Sequence, residues 1–373
     1  MRRVFILAGT IVFIDTLFFA VLTPLLPHYV DRFDLSRAGA GLLAACYPLG
    51  VLAGGVPGGI AATRAGVKPT ALGALVLIAA ASAVFGFGDS IWILNAARFT
   101  QGVASAFAWT AALTWLIRVA PATRRGELIG SVLGVAIAGA LFGPATGALA
   151  SVAGIGPVFA AVAGLCVVGA LLALRTPAPP VEEEPSPPRL GRMLRDRRIA
   201  GGLWLVALPA LLFGTQSVLV PLHLNELGFG AAAIGAVYVV ATGLEAVAAP
   251  VVGRVSDRRG RRLPILVALL GSAALSAALP WPDRVWVLAP LAVVAILFFG
   301  LSWAPAMSLV SHTAERRGAD AAWAVALINM AWAPGQAVGA LGGGGLARLT
   351  SDWVPFVLLS GVCLATFVAV RRA

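Results

Sequence analysis

One feature recurs twelve times along this chain: an apolar run of about 20 residues, the length an α-helix needs to cross a hydrocarbon core. The runs fall near 4–27, 38–62, 69–88, 91–117, 127–150 and 155–174. After a polar gap they resume near 200–222, 231–252, 263–280, 285–310, 320–346 and 352–370. Composition agrees with what these lengths imply. Of 373 residues, 60% are hydrophobic and 12% charged, against about 25% charged in soluble domains. Lipid is the expected solvent and all-α the expected fold class. Met1-Arg2-Arg3 ahead of an apolar stretch imitates a secretion signal, but the run continues to Pro27 with Asp15 in its middle. It reads as a first spanning helix that stays in place.

The net charge of +11 would suit nucleic acid if it formed a patch, but it is dispersed among the gaps in a pattern that reports topology. With both termini in the cytoplasm, 22 of the 27 basic residues fall on the inner side. Four (Arg32, Arg37, Arg284 and Arg348) fall outside, and Arg98 remains within a span. The expectation is a multi-pass protein of the cell inner (plasma) membrane with both ends cytoplasmic. Cys46, Cys166 and Cys363 lie far apart within apolar runs and read as buried small hydrophobes.

The longest gap, 175–199, holds six prolines, the triplet Glu182-Glu183-Glu184 and then Arg189, Arg192, Arg195, Arg197 and Arg198. Its first part reads as an extended solvated connector. Its second part, with Leu190, Met193 and Leu194 among arginines, suggests a short helix on the inner leaflet. The halves on either side echo each other at an offset of 194: Pro27 and Pro221, Gly41 and Gly235, Gly59 and Gly253, Arg64 and Arg258, Gly66 and Gly260, Lys68 and Arg262. The expected organisation is a six-helix bundle over 1–174, a cytoplasmic linker over 175–199 and a second six-helix bundle over 200–373. Parallel six-helix repeats can rock about a central site and open it to one side at a time.

Three local motifs carry a family resemblance. Residues 253–262, Gly-Arg-Val-Ser-Asp-Arg-Arg-Gly-Arg-Arg, fit a G-x-L-A-D-R-x-G-R-R loop, with a weaker copy over 59–68 in which Thr63 replaces the acid. The fourth run carries Arg98-Phe99-Thr100-Gln101-Gly102, an R-x-x-Q-G pattern, and the fifth carries Gly139, Gly143, Pro144 and Gly147 in a G-x-x-x-G-P-x-x-G pattern. Over essentially its whole length the chain resembles the major facilitator superfamily, and within it the twelve-helix drug:proton antiporters. The resemblance implies that Gly59, Gly66, Gly253, Asp257, Arg258, Gly260 and Arg261 belong to loops that help close a gate. In that picture Asp257 sits at a helix N-terminus, where an anion is favoured, and the first loop is a weaker latch. It implies also that Gln101 and Gly102 belong to the fourth-helix motif, and that Gly139, Gly143, Pro144 and Gly147 form a bendable fifth helix associated with export.

The residues themselves nominate a site. Asp15 lies midway along the first run, where a carboxylate costs about 2.5–3.5 kcal/mol on insertion scales. It must face a cavity, a partner or a proton, and the acid ahead of a T-P-L-L-P end resembles amine and multidrug pumps. The alternative is a structural ion pair, with Arg98 as partner. Glu245 in the eighth run is a second candidate for a proton or a cation, or else a glutamate turned to a wet cavity. Arg98 either holds one of these acids as an anion or braces its helix through carbonyl groups. Gln216, Asn329, Trp109 and Tyr238 are cavity candidates, with Phe18, Phe19, Trp303 and Trp332 as further aromatics near it. Such rings around an acid suit lipophilic cations, although aromatics and neutral polar side chains in membrane helices more often serve packing.

No G-x-x-x-x-G-K-[ST] loop is present to cradle nucleotide phosphates, and no H-E-x-x-H or G-x-S-x-G pattern for hydrolysis. The three histidines show no metal-ligand spacing. An enzyme is not expected, nor a metal or cofactor; the proton gradient is the expected energy source. The expected partners are a small-molecule substrate, protons and membrane lipids, without nucleic acid, for a chain working as a monomer. The leading expectation is a proton-coupled exporter of lipophilic or cationic compounds by alternating access. The alternatives are a specific sugar, amino-acid or secondary-metabolite transporter and, in another class, a non-transporting sensor or scaffold on the same fold.

Overall fold

In a membrane every backbone polar group must be satisfied within the segment that crosses it, and helices are how this chain does so. The computed structural model describes residues 1–121, 124–180, 196–316 and 321–372, and among these it contains helices and no strand. They are α1 (Arg2–Ala20), α2 (Leu22–Phe33), α3 (Arg37–Arg64), α4 (Val67–Phe87), α5 (Ile91–Val119), α6 (Arg125–Ala153) and α7 (Ile155–Arg175). Then come α8 (Arg197–Glu226), α9 (Ala231–Arg259), α10 (Arg262–Ala278), α11 (Val285–Gly300), α12 (Trp303–Arg316), α13 (Ala321–Leu349) and α14 (Trp353–Arg372). With α1 joined to α2 and α11 to α12, these make twelve helical segments, six and six. Ten are long and apolar enough to span a bilayer, and α10 is a shorter apolar helix. The connector and inner-leaflet helix expected between Glu182 and Arg195 lie outside the described residues.

The 194-residue offset holds for whole helices: α3 and α9 start at 37 and 231, α5 and α11 at 91 and 285. Trp92 and Trp286, equivalent positions at the starts of α5 and α11, are 74% and 78% exposed. Large apolar surface of that kind suits a lipid environment and the aromatic belt at its border.

Two compact units result, one of Met1–Leu25 with Cys46–Pro187 and one of Leu26–Ala45 with Pro188–Ala373. In the first, α1 packs on α6, and α4 on α5 and α7. In the second, α8 packs on α13, and α10 on α11 and α14. The segment Leu26–Ala45 therefore groups with the later helices, whereas the sequence placed it with the first bundle. Backbone proximity is one reason. A β-carbon on Gly41 would strike the Ala340 carbonyl, and one on Gly344 the Arg37 carbonyl. Charge is another: Arg37 pairs with Asp352 at 3.1 Å and also with Glu226.

Within each unit one helix pair is fitted by a stripe of glycines. On α6, β-carbons at Gly139, Gly143 and Gly147 would fall on the carbonyls of Phe13, Leu17 and Val21. On α13, β-carbons at Gly335 and Gly339 would fall on the carbonyls of Ala207 and Leu211, and one at Gly343 on the Thr215 side chain. The struck residues are again 194 apart, so both halves use one packing solution, in which small residues let backbones approach.

The loop repeat is also visible. Gly66 and Gly260 have φ of +91° and +83°, a region that only glycine enters without strain. Two residues on, Lys68 Nζ donates to the carbonyls of Leu174 (2.7 Å) and Thr176 (3.1 Å) at the end of α7. Its counterpart Arg262 donates to the Arg371 carbonyl near the end of α14. A cation is thus set against the carbonyl end of the last helix in each half, where unsatisfied acceptors and the helix dipole favour it.

Candidate functional site

The α5 residues Arg98, Gln101, Ser105 and Trp109, spaced by three, four and four, project along one face of a 3.6-residue helix. Ser105 and Trp109 meet α1 at Asp15, which is 3% exposed. Tyr47 Oη donates to one carboxylate oxygen at 2.8 Å. Ser105 Oγ and Trp109 Nε1 donate to the other at 2.9 and 2.7 Å. Three helices thus converge on one buried acid. Tyr47 reaches it because α3 and α5 cross closely: a β-carbon on Gly102 would fall on the Tyr47 carbonyl, and one on Gly50 on the Phe99 carbonyl.

Arg98 is 1% exposed, yet its hydrogen bonds do not go to the acid. It donates to the carbonyls of Phe18 (2.8 Å) and Phe19 (3.2 Å) and to Gln101 Oε1 (3.0 Å). Gln101 Nε2 in turn donates to Ser82 Oγ at 3.0 Å. The guanidinium lies 4.9 Å from the centre of the Tyr47 ring and 5.9 Å from that of Phe85. This corrects the direct Asp15–Arg98 pair considered from the sequence: Tyr47 bridges them, hydroxyl on the acid and ring face on the cation. The Phe18 and Phe19 carbonyls lie in the last turn of α1, where helix ends leave acceptors for outside donors.

Chemically, this cluster suits an exchangeable proton. An ionised carboxylate only accepts hydrogen bonds, and here it accepts three from neutral donors. A protonated one also donates, and the hydroxyls of Tyr47 and Ser105 are the partners able to reverse and accept that proton. Each donor sits on α3 or α5, so the hydrogen bonds that change with the protonation of Asp15 are ones that tie α1 to those two helices.

The other candidates fall elsewhere. Glu245 is half-buried on α9, its carboxylate against Gly300, where a β-carbon would strike it, and it has no hydrogen bond or ion pair among the described residues. Tyr238, two turns earlier on α9, donates to the Gln216 carbonyl at 3.4 Å. Gln216 is 1% exposed, and neither atom of its side-chain amide has a partner among the described residues. Asn329 is half-buried on α13. A β-carbon on Gly59 or Gly253 would meet nothing within 4 Å, so neither fits a close helix contact within its unit. Thr63 donates back to the Gly59 and Ile60 carbonyls of its own helix, at 3.2 and 2.9 Å. Arg258 is exposed, Arg261 precedes the first turn of α10, and the side chain of Asp257 lies outside the described residues. Pro144 lies within the unbroken α6. A groove of about 310 Å³ lined by Phe5, Phe13, Val135 and Leu165 is apolar and does not include Asp15.

Sequence reasoning missed Tyr47, Ser105 and Ser82, and passed over Glu226. Ser105 had a readable signal, since it continues the helical face of Arg98, Gln101 and Trp109. Tyr47 had less: it lies 32 residues from Asp15, and only the α3–α5 crossing brings it there. Among the described residues no group of three or more histidine, cysteine or acidic side chains can hold a metal, and the three cysteines are buried and unbridged.

Comparison with known proteins adds the relatives. The family described as Major Facilitator Superfamily matches residues 8–340. An uncharacterized MFS-type transporter of Yersinia pestis is 24% identical over 375 residues, covering 98% of this chain and 94% of that one. The MFS-type transporter ppzB of Metarhizium rileyi is 31% identical over 135 residues, a stretch covering 35% of this chain and 28% of that protein. Among solved structures, a D-xylose-proton symporter superposes with a TM-score of 0.72 at 18% identity, covering 97% of this chain and 95% of that one. The nucleoside transporter NupG superposes with a TM-score of 0.76 at 12% identity, covering 99% of each. At these identities the two structures speak for the fold alone.

Proposed function

The chain belongs to the major facilitator superfamily, and on that premise we propose that it is a proton-coupled exporter of lipophilic, cationic small molecules working by alternating access. The observation that carries this reading is the buried Asp15 carboxylate, held by Tyr47, Ser105 and Trp109 from two neighbouring helices. A proton arriving there removes a charge from low dielectric and alters the hydrogen bonds that tie α1 to α3 and α5, which suits coupling a gradient to a conformational cycle. The reading takes the chain as a monomer of the cell inner membrane with both termini cytoplasmic, and the split of 22 basic residues against four across the two sets of loops supports that orientation. Arg98 is assigned a positioning role: it holds the end of α1 and the face of Tyr47, while Asp15 exchanges the proton.

The test is loss of preloaded cationic dye from cells stripped of their own efflux pumps, at matched membrane expression. Wild type and Asp15→Asn are each run with and without a protonophore. Efflux that needs both the gradient and Asp15 supports the reading. Gradient-driven efflux that survives Asp15→Asn overturns Asp15 as the coupling site. A chain that moves no dye under any condition overturns drug export in favour of a narrow metabolite transporter or a non-transporting sensor. The metabolite alternative draws on one observation, the unpartnered buried amide of Gln216, a group suited to a neutral polar solute.

A further inference from the structure

Applying the 194-residue offset to the Asp15 cluster locates its counterpart in the second unit, and the chemistry there is inverted. Asp15 corresponds to Pro209, Phe19 to Phe213, Ser105 to Phe299 and Trp109 to Trp303. The acid and two of its donors are lost, Tyr47 having Ala241 as its counterpart, and an aromatic group takes their place. Phe213 meets Phe299 edge-on with ring centroids 5.9 Å apart, and stacks on Trp303 at 6.2 Å.

The backbone diverges at the same level. The first-unit helix α5 runs unbroken from Ile91 to Val119. Its counterpart is interrupted at Leu301 and Ser302, between α11 and α12. Pro305 supplies the cause, since it has no N–H for the Leu301 carbonyl. Broken helices at membrane depth persist where they are buried in protein or line a cavity, and in transporters they gather at binding sites.

Against this interruption lies Glu245, its carboxylate in contact with Gly300, between Phe299 and Trp303 in the chain. The contrast with Asp15 is one of occupancy. Three donors already satisfy Asp15, whereas Glu245 has none among the described residues. An unpaired carboxylate at membrane depth is costly unless something cationic or a proton meets it. Phe213, Gly300, Trp303 and Glu245 are all half-buried, so the group is open on one side.

We propose that Glu245, Phe213 and Trp303, backed by the fully buried Phe299, form the substrate site of the second unit, taking an organic cation with a bulky apolar or aromatic body. Glu245 meets the charge, and the rings supply apolar contact and the cation–π attraction of their faces. The two halves thus divide the work: a proton acid saturated with donors in one, an unpartnered acid beside rings in the other. This rests on the reading of the chain as an exporter of lipophilic cations and assigns it a binding site distinct from Asp15.

The experiment is equilibrium binding to the purified full-length protein in detergent at fixed pH, with no gradient, so it stands apart from proton coupling. The probes are tetraphenylphosphonium and tetraphenylborate, ions of the same shape and opposite charge. Wild type is expected to bind the cation and to discriminate against the anion. Glu245→Gln should weaken the cation by at least about tenfold, with Glu245→Asp restoring most of the loss. Trp303→Ala should weaken it by about tenfold, and Trp303→Phe by much less. Thermal unfolding of each variant checks that the fold is kept. The proposal is overturned if wild type binds neither ion or binds both alike. It is also overturned if cation binding falls with Asp15→Asn but not with Glu245→Gln.

Discussion

Trp109 and Trp303 occupy the same position in the two halves, 194 residues apart, and their rings do different things. Trp109 Nε1 donates to Asp15 at 2.7 Å, while the Trp303 ring stacks on Phe213 at 6.2 Å. One needs its N–H, the other its face, so a single substitution separates them. Trp109→Phe keeps a ring and deletes the donor. A hydrogen bond to a charged group contributes about 1.5–3 kcal/mol, so gradient-driven efflux should fall by about ten- to a hundredfold. Trp303→Phe should cost severalfold at most. Initial efflux rates of the two variants at matched expression check this, and equal losses would contradict it.

Tyr47 is the hinge between charge and proton. Its hydroxyl reaches Asp15 at 2.8 Å and its ring lies under Arg98 at 4.9 Å. Tyr47→Phe keeps the ring contact and should reduce coupling about tenfold with the folded yield unchanged. Tyr47→Ala removes both and opens a cavity in a 2% exposed site, so it should also lower thermal stability, by about 3–5 kcal/mol. Efflux and detergent melting curves of the pair separate the hydroxyl from the ring.

The large-scale order of this protein was legible because membrane physics writes it in long letters. Twelve apolar runs require only length and counting. The 194-residue repeat extends to helix starts, to the positive φ of Gly66 and Gly260, and to the capping cations Lys68 and Arg262. What sequence could not supply is which distant side chains meet. Asp15 was visible because an acid in an apolar run is conspicuous, but its partners come from α3 and α5, by way of a crossing at Gly50 and Gly102. Arg98 was visible for the same reason, with an ion pair and a carbonyl brace both open from sequence; its bonds to the Phe18 and Phe19 carbonyls follow the brace, and the carbonyls belong to α1. Glu226 gave no signal of its own, because its partner Arg37 lies 189 residues away.

The glycine stripe on α6 has an equal on α13, and this bears on what the stripe means. Gly143 faces the Leu17 carbonyl and Gly339 the Leu211 carbonyl. If the α6 stripe serves packing, Gly143→Val and Gly339→Val should be equally harmful. Overpacking a close helix contact costs about 1–3 kcal/mol or more, and both variants should lose folded yield in detergent. Gly130→Ala and Gly134→Ala, where a β-carbon would meet nothing within 4 Å, should behave as wild type. A stripe special to export would instead make Gly143→Val lose transport while keeping its fold.

Arg37 joins three helix ends: its own α3, Glu226 at the end of α8, and Asp352 just ahead of α14. The side chains are 26%, 50% and 39% exposed, so solvent and salt screen the pairs, and exposed ion pairs contribute about 0–1 kcal/mol each. Arg37→Ala should therefore shift the melting temperature only slightly, and less in high salt, where the Debye length is short. Arg37→Lys should fall short of wild type as well, because a guanidinium can serve two carboxylates in one plane and an ammonium cannot. If the three ends must separate during the transport cycle, the same loss should speed the slow step, so efflux rises as stability falls. Rates and melting curves for Arg37→Ala, Glu226→Gln and Asp352→Asn decide it. A rate that drops in all three variants would make the trio a fixed brace.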